Sequence, residues 1–206
     1  MKPTKRDARR GMIEMDGLAF LSYVVILAFT PGPNNLMSLE ESKRFGFRKS
    51  FPFMEGLLAG FLILAVAALI FTDWLLRSMP TVEPLLKAVG SAYILYLVWK
   101  LFASGATRSA SESNRQLFLA GLILNLSNVK VMLYFLTGYS SFILPAYENF
   151  WIALLFGLLL CFAGACSNLL WACFGSLFKA FFARHELSIN IVMAILLIYS
   201  AVEIWS

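Results

Sequence analysis

The chain has 206 residues, of which 60% are hydrophobic and only 14% are charged, and its mean hydropathy is +0.76. A soluble domain carries about 25% charged residues, and a core of this size could not hide so much apolar surface from water. The composition therefore excludes a soluble globular protein and predicts an all-α, multi-pass membrane protein with no room for a separate soluble domain. The net charge of +5 does not indicate nucleic-acid binding, because Lys and Arg in a membrane protein mark cytoplasmic loops and lie beside anionic lipid.

Residues 1–16 form a polar tail that is rich in Lys and Arg and that we expect to be disordered. A long apolar stretch follows without a small-residue cleavage site, so the pattern predicts an uncleaved first membrane span and not a signal peptide. Met12 and Met15 are alternative start sites. Residues 17–206 are expected to form a single transmembrane domain.

Apolar stretches of about 20 residues, the length that crosses a bilayer, recur along the rest of the chain. They predict six transmembrane helices over about 18–39, 51–72, 85–103, 117–144, 150–177 and 189–205. The connecting segments are a charged loop at 40–49, a polar link at 73–84, a central loop at 104–116 and a basic link before the last helix. In the second helix, Gly56 and Gly60 lie four residues apart and indicate a face on which a neighbouring helix packs closely.

The first apolar stretch is interrupted by a motif that cannot continue a helix. Two prolines flank a glycine, and each proline lacks an N–H and clashes with the preceding turn. Inside a bilayer, the backbone groups freed by such a break are satisfied only within protein or at a wet cavity. The motif therefore indicates a binding site, and the alternative is a kink that only shapes packing. The candidate site residues here are Thr30, Pro31, Gly32, Pro33, Asn34 and Asn35.

A second polar interruption lies in the fourth helix, where Asn125, Asn128 and Lys130 occur within an apolar stretch. An interrupted helix at corresponding positions of two halves is typical of transporters built from repeats. The halves, about 17–103 and 117–206, would have three helices each. We therefore expect the second half to be inverted relative to the first, as a 3+3 inverted repeat with a broken first helix in each half.

The distribution of Lys and Arg favours a cytoplasmic location for the loops after the first, third and fifth helices, and an external location for both termini. The basic tail at 1–16 argues against this orientation, and translation from Met15 would remove the conflict.

The polar residues at the two interruptions suit the binding of a carboxylate. Asn34 can cap the half-helix that follows the prolines, and the start of that half-helix presents N–H groups and partial positive charge. Lys130, about halfway through the bilayer, can hold a carboxylate or exchange a proton, or it can extend to the cytoplasmic end of its helix. Asn125 and Asn128 add hydrogen bonds, either to a substrate or between helices.

Glu55 is the carboxylate that lies within an apolar stretch of the first half. A buried Glu55 would bind a proton readily and could couple transport to protons, whereas an exposed one would only face the cytoplasmic vestibule. Asn168 in the fifth helix is a lesser candidate for the site.

The remaining reactive side chains do not predict a cofactor or a metal site. Cys161, Cys166 and Cys173 are the three cysteines, and they share one apolar stretch without a CxxC pair, so we expect buried free thiols. His185 is the one histidine, and we expect it in a solvated loop.

The first interruption, followed by Phe45-Gly46-Phe47-Arg48-Lys49, resembles the LysE/RhtB amino-acid exporters. Members of that family commonly have Asn-Pro-Lys in the fourth helix, where this chain has Asn128-Val129-Lys130. This variant, the following Leu133-Tyr134 and the closing stretch 190–202 are similar to the branch that exports cysteine and O-acetylserine. The resemblance covers about residues 18–205. It implies an inner-membrane exporter of small amino acids that is driven by protons as an antiporter, lies in contact with membrane lipid and is compatible with a homodimer.

We therefore expect secondary active efflux of a small amino acid, such as cysteine or O-acetylserine, and no enzymatic activity. Two alternatives stay open. A membrane conduit for thiols or electrons would need a paired dithiol, and a metal-ion permease would need His, Asp or Glu clustered in the helices.

Overall fold

The computed structural model describes residues 15–103, 113–203 and 205, apart from the side chains of 73–83, 86, 100, 103 and 183. The predicted tail at 1–16 and the predicted central loop at 104–116 lie largely outside the described residues. The described residues form helices and connecting turns, with no strand among them. We number the helices α1 (Gly17–Phe29), α2 (Pro33–Phe45), α3 (Phe51–Ala103), α4 (Asn114–Leu126), α5 (Val129–Thr137), α6 (Phe150–Leu177), α7 (Lys179–Arg184) and α8 (Glu186–Glu203).

Several of these helices are long and apolar enough to cross a bilayer. Four such stretches occur in the described residues, at Arg48–Thr72, Val129–Ala146, Phe150–Leu177 and Glu186–Glu203, and α1 with α2 adds a fifth if the bent pair is one span. The chain is thus a multi-pass, all-helical membrane protein. The arrangement of six helices as a 3+3 inverted repeat stays a prediction.

The charged loop predicted at 40–49 is wrong over most of its length, because α2 continues to Phe45. Only 2% of Glu41 and 9% of Lys43 are exposed. The Lys43 ammonium lies 2.6 Å from a carboxylate oxygen of Glu40 and donates to the side-chain oxygen of Asn190, 3.3 Å away on α8. Charged residues indicated a loop from the sequence, but pairing with each other and with Asn190 lets them stay helical and buried.

The polar link predicted at 73–84 is also wrong, because α3 is helical throughout and loses helical geometry only at Phe71, where φ is −110° and ψ is 16°. The hydroxyl of Thr72 donates to the carbonyl of Ala68, a bond of the kind that bends helices. The chain therefore turns here by a kink and not by a loop. Similarly, the basic link before the last helix contains α7.

Close packing between α3 and α4 confirms the helix face predicted from the glycines. A Cβ placed on Gly56 would lie 2.0 Å from the carbonyl oxygen of Phe118, and a Cβ placed on Gly121 would lie 2.1 Å from that of Phe53. A Cβ on Gly60 would lie 2.6 Å from the Cβ of Asn125. Small residues let the two backbones approach, as in other membrane helix pairs.

Helix α2 lies inside the bundle and is the element that positions the site. Every residue from Gly32 to Leu39 is buried, and α2 packs so closely on α6 that a Cβ on Gly175 would lie 2.2 Å from the carbonyl oxygen of Leu39. The predicted fifth helix at 150–177 coincides with α6.

Candidate functional site

The first helix is broken where the prolines predict. Helix α1 ends at Phe29, α2 begins at Pro33, and the two are bent by 45°. Gly32 is the N-cap residue, with extended backbone and no side-chain capping bond. The first N–H groups of α2 therefore start without a side-chain acceptor, and they carry the partial positive charge of a helix N-terminus.

The prediction that Asn34 caps α2 is wrong, because the helix starts one residue earlier and Asn34 lies inside its first turn. The carbonyl groups freed at the end of α1 are satisfied by Asn35 instead. Its Nδ2 donates to the carbonyls of Ala28 and Thr30, both at 3.0 Å, and its Oδ1 accepts from the Ser167 hydroxyl on α6 at 3.2 Å. Asn35 therefore holds the break together, with the help of a serine that the sequence did not single out.

The second interruption also forms a break, between α4 and α5, and it contacts the first. Asn128 caps α5, since its Oδ1 accepts from the backbone N–H of Lys130 at 3.1 Å. Its Nδ2 donates to the Oδ1 of Asn34 at 2.8 Å. One hydrogen bond thus joins the starts of the two half-helices α2 and α5.

The Lys130 side chain reaches the first break and not the end of its own helix. Its Nζ donates to the carbonyl of Thr30 at 3.4 Å, and a Cβ on Gly32 would meet its Cδ and Nζ at 3.5 Å. The lysine therefore crosses the break directly over Gly32, at a distance that is ordinary van der Waals contact. The alternative in which Lys130 extends to the membrane surface does not describe this conformation.

A small cavity of about 40 Å³ lies where the breaks meet, and we call it the break cavity. Its polar lining includes Asn34, Asn128, Lys130 and Asn168. The side-chain Nδ2 atoms of Asn34 and Asn168 are buried and have no hydrogen-bond partner among the described residues, although the two residues are only 6% and 3% exposed. Because buried amides are almost always satisfied, these two unpaired donors point to a ligand.

The walls of the break cavity are apolar and aromatic. Phe61 from α3 and Tyr134 from α5 line it, and Phe61 packs so closely on Gly164 that a Cβ there would lie 2.8 Å from the ring. Tyr134 stacks on Tyr23 with ring centroids 5.8 Å apart. The sequence did not single out these aromatic residues, because isolated aromatic positions in apolar helices carry no distinct signal.

The remaining predicted residues lie around this centre. The Thr30 hydroxyl donates to the carbonyl of Ile26, Pro31 is exposed, and Pro33 is buried as the first residue of α2. Asn125 is fully buried and donates to the carbonyl of Leu57 on α3. This bond belongs to helix packing, and Asn125 is not among the residues that line the break cavity.

Glu55 is exposed and so does not meet the buried condition set for a proton-binding carboxylate. It lines a separate cavity of about 140 Å³ that also reaches Asn168. Of the three cysteines, Cys161 is buried as expected, whereas Cys166 and Cys173 are half-buried, and all three are free thiols.

The site can therefore bind opposite charges at neighbouring places. Lys130, the unpaired amides and the start of α2 are hydrogen-bond donors suited to a carboxylate. The carbonyls at the end of α1 carry the opposite partial charge and suit an ammonium group. A broken helix that offers both ends of its backbone to a ligand is a recurrent transporter arrangement.

Residues 25–206 match the family model described as LysE type translocator. The chain belongs to the LysE type translocator family. It is 36% identical over 187 residues to a cysteine/O-acetylserine efflux protein of Escherichia coli O139:H28 (strain E24377A / ETEC), covering 91% of this chain and 96% of that one. Proteins of the same name from Escherichia coli (strain K12) and Shigella flexneri serotype 5b (strain 8401) are 35% identical over the same shares. No solved structure matches the chain.

Membership of the LysE type translocators confirms the resemblance seen in the sequence, and it makes this chain a membrane transporter and not an enzyme. The break cavity, built from the two interruptions that the sequence predicted, is the candidate site of this LysE-type translocator.

Proposed function

We propose that this LysE-type translocator exports a small neutral amino acid, cysteine or O-acetylserine, out of the cytoplasm across the inner membrane. Its relatives are named cysteine/O-acetylserine efflux proteins, which supports this class of substrate. The observation that carries the proposal is the 2.8 Å hydrogen bond between Asn128 and Asn34. It places the starts of two half-helices, and beside them Lys130, at one point inside the bundle.

In the bound state the substrate carboxylate lies at the start of α2, where Lys130 and the unpaired amides of Asn34 and Asn168 donate to it. The substrate ammonium group lies against the carbonyls that end α1. The short side chain packs on Phe61 and Tyr134. A small, uncharged side chain suits these walls, because a further charge would be buried without a partner.

The break cavity must widen for this to happen. Its volume of about 40 Å³ holds roughly one water molecule, whose share of liquid volume is about 30 Å³. We propose that the two halves of the chain move against each other around the breaks, which opens the site to one side of the membrane at a time.

Protons are the proposed driving ion. The resemblance to the LysE/RhtB exporters supports this role, whereas the exposed Glu55 gives it no support. The Lys and Arg distribution supports an orientation with the Arg48–Ser50 turn in the cytoplasm. A homodimer is compatible with this proposal.

Removing the site donors tests the proposed function. We expect Asn34→Ala and Lys130→Ala to abolish export while the protein still reaches the membrane, because each substitution removes a contact to a charged carboxylate, worth about 1.5–3 kcal/mol. Uptake of labelled cysteine and O-acetylserine into inverted vesicles, with and without a proton gradient, is the measurement. Asn114→Ala and Lys49→Ala, which change exposed residues of the same types away from the site, are the controls. Normal export by both site variants would show that the break cavity is not the substrate site.

The described residues give little support to the two alternative functions, an electron or thiol conduit and a metal-ion permease. The three cysteines lie on one helix, α6, as free thiols, where a conduit for electrons needs a reactive pair. Among the residues that the structure describes, no three His, Cys, Asp or Glu side chains lie together in a way that could hold a metal ion. Amino-acid export is the function that the geometry supports best.

A further inference from the structure

A second and much larger cavity begins where the break cavity ends. Its volume is about 410 Å³, against about 40 Å³ for the break cavity, and we call it the Glu203 cavity. Ligand pockets in proteins commonly measure roughly 300–1,000 Å³. Its lining comes from α1, α5 and α8 and includes Tyr23, Lys130, Leu133, Thr137, Ser200 and Glu203.

The Glu203 cavity leads away from the breaks towards one side of the membrane. Lys130, Asn128 and Leu27 line both cavities, so the two share a boundary at the second break. From Lys130 to Thr137 the lining follows α5 for seven residues, or about 10 Å at 1.5 Å per residue. Glu203 is the last residue of α8. The cavity therefore runs from the centre of the bundle to the side on which α8 ends.

Among the described residues that line this cavity, the charged groups are one cation and one anion. Lys130 lies at its inner end, Glu203 lines it as well, and the two attract each other electrostatically. Most of the remaining lining is apolar, aromatic or hydroxylic, as at Leu133, Tyr23 and Thr137. A free amino acid has the complementary charges, with a carboxylate to match Lys130 and an ammonium group to match Glu203.

We infer that the Glu203 cavity is a second amino-acid site, in which Lys130 holds the substrate carboxylate and Glu203 holds the substrate ammonium group. This inference rests on the proposed function. Because Lys130 borders both cavities, it can keep hold of the carboxylate while the rest of the substrate passes from the break cavity into the larger one. By the orientation proposed above, the Glu203 cavity lies on the external side and is the site from which exported substrate leaves.

The test compares ligands that differ only in the ammonium group. L-Cysteine and 3-mercaptopropionate share the thiol and the carboxylate, and only cysteine has the amine. We expect Glu203→Gln, purified in lipid nanodiscs under reducing conditions, to bind cysteine about tenfold or more weakly by calorimetry, since one charge-assisted hydrogen bond is lost. Binding of 3-mercaptopropionate should not weaken, because this substitution removes no partner of the carboxylate.

Glu186→Gln is the matched control, because it makes the same substitution on an exposed glutamate at the opposite end of the same helix, and it should bind both ligands like the unaltered protein. Equal cysteine binding by Glu203→Gln and Glu186→Gln would overturn the inference. So would equal weakening of both ligands by Glu203→Gln, because Glu203 would then act only through Lys130. Failure of the unaltered protein to export cysteine or O-acetylserine into vesicles would instead refute the proposed function itself, so the two failures are distinguishable.

Discussion

The buried asparagines at the helix breaks use the same amide group in different ways. Asn35 donates both of its N–H groups to carbonyls at the end of α1 and accepts from Ser167. Asn168 is equally buried, yet its Nδ2 has no partner among the described residues. The first asparagine maintains the fold, and the second offers its donor to whatever enters the break cavity.

Substitution of these two asparagines should therefore separate stability from transport. We expect Asn35→Ala to lower the thermal stability of the purified protein, because unsatisfied buried carbonyl groups cost about 1–3 kcal/mol. Asn168→Ala should keep the melting temperature within experimental error and reduce cysteine export by about tenfold, the loss of one bond to a charged group. Melting curves in detergent and vesicle transport on the same preparations measure both effects. A destabilised Asn168→Ala variant with unchanged export per folded molecule would show that Asn168 is structural.

At the scale of the helices, the reciprocal glycine contact of α3 and α4 sets the distance between the two halves of the chain. Gly56→Ala places a methyl group where Phe118 has its carbonyl oxygen, only 2.0 Å away, so the helices must separate. Overpacking of this kind costs about 1–3 kcal/mol or more, and we expect less folded protein and a lower melting temperature. Gly17→Ala makes the same change where nothing lies within 4 Å. The two variants should differ clearly in a fluorescence-detected size-exclusion melt, and equal behaviour would contradict the packing described here.

Some features of the helices could be predicted from the sequence, and others could not. Proline and glycine act on their own backbone, so the break before Pro33 was predictable, and its contact with the second break followed from the repeat pattern. The buried end of α2 was not predictable, because Lys43 is stabilised by Asn190, far away in the chain. The proposed roles of Asn168 and Glu203 depend on the cavities that they line, which only the folded chain forms. A single polar residue in an apolar helix creates no repeating pattern from which such a role could be predicted.

For the whole molecule, the two ends of the bundle differ. At one end, hydrogen bonds tie α2 to its neighbours. The bonds are from Lys43 to Asn190 on α8 at 3.3 Å, from Asn190 to the carbonyl of Leu101 on α3 at 3.5 Å, and from Lys179 on α7 to the carbonyl of Arg44 at 3.4 Å. At the other end, the Glu203 cavity separates α1, α5 and α8. We interpret this asymmetry as one state of an alternating-access cycle, closed on the side of Lys43 and open on the side of Glu203.

Thiol labelling can follow the change to the opposite state. In a variant without the three native cysteines, Thr137→Cys places a thiol in the Glu203 cavity. Ser38→Cys places one at a fully buried position of α2, a turn beyond Asn34 towards the closed end. The background variant should export like the unaltered protein, since the proposed mechanism uses no cysteine. We chose O-acetylserine as the substrate for this experiment because it has no thiol of its own.

With a hydrophilic maleimide added to the protein in lipid nanodiscs, where the reagent reaches both sides, we expect Thr137→Cys to be labelled and Ser38→Cys to be protected when no substrate is present. Bound O-acetylserine should slow labelling at Thr137→Cys and speed it at Ser38→Cys, because opening of one end accompanies closure of the other. Glu148→Cys, in the exposed turn before α6, should be labelled at the same rate in both conditions. If both cavity positions gained or lost reactivity together, the bundle would be loosening as a whole, and movement of two halves around the broken helices would not describe this transporter.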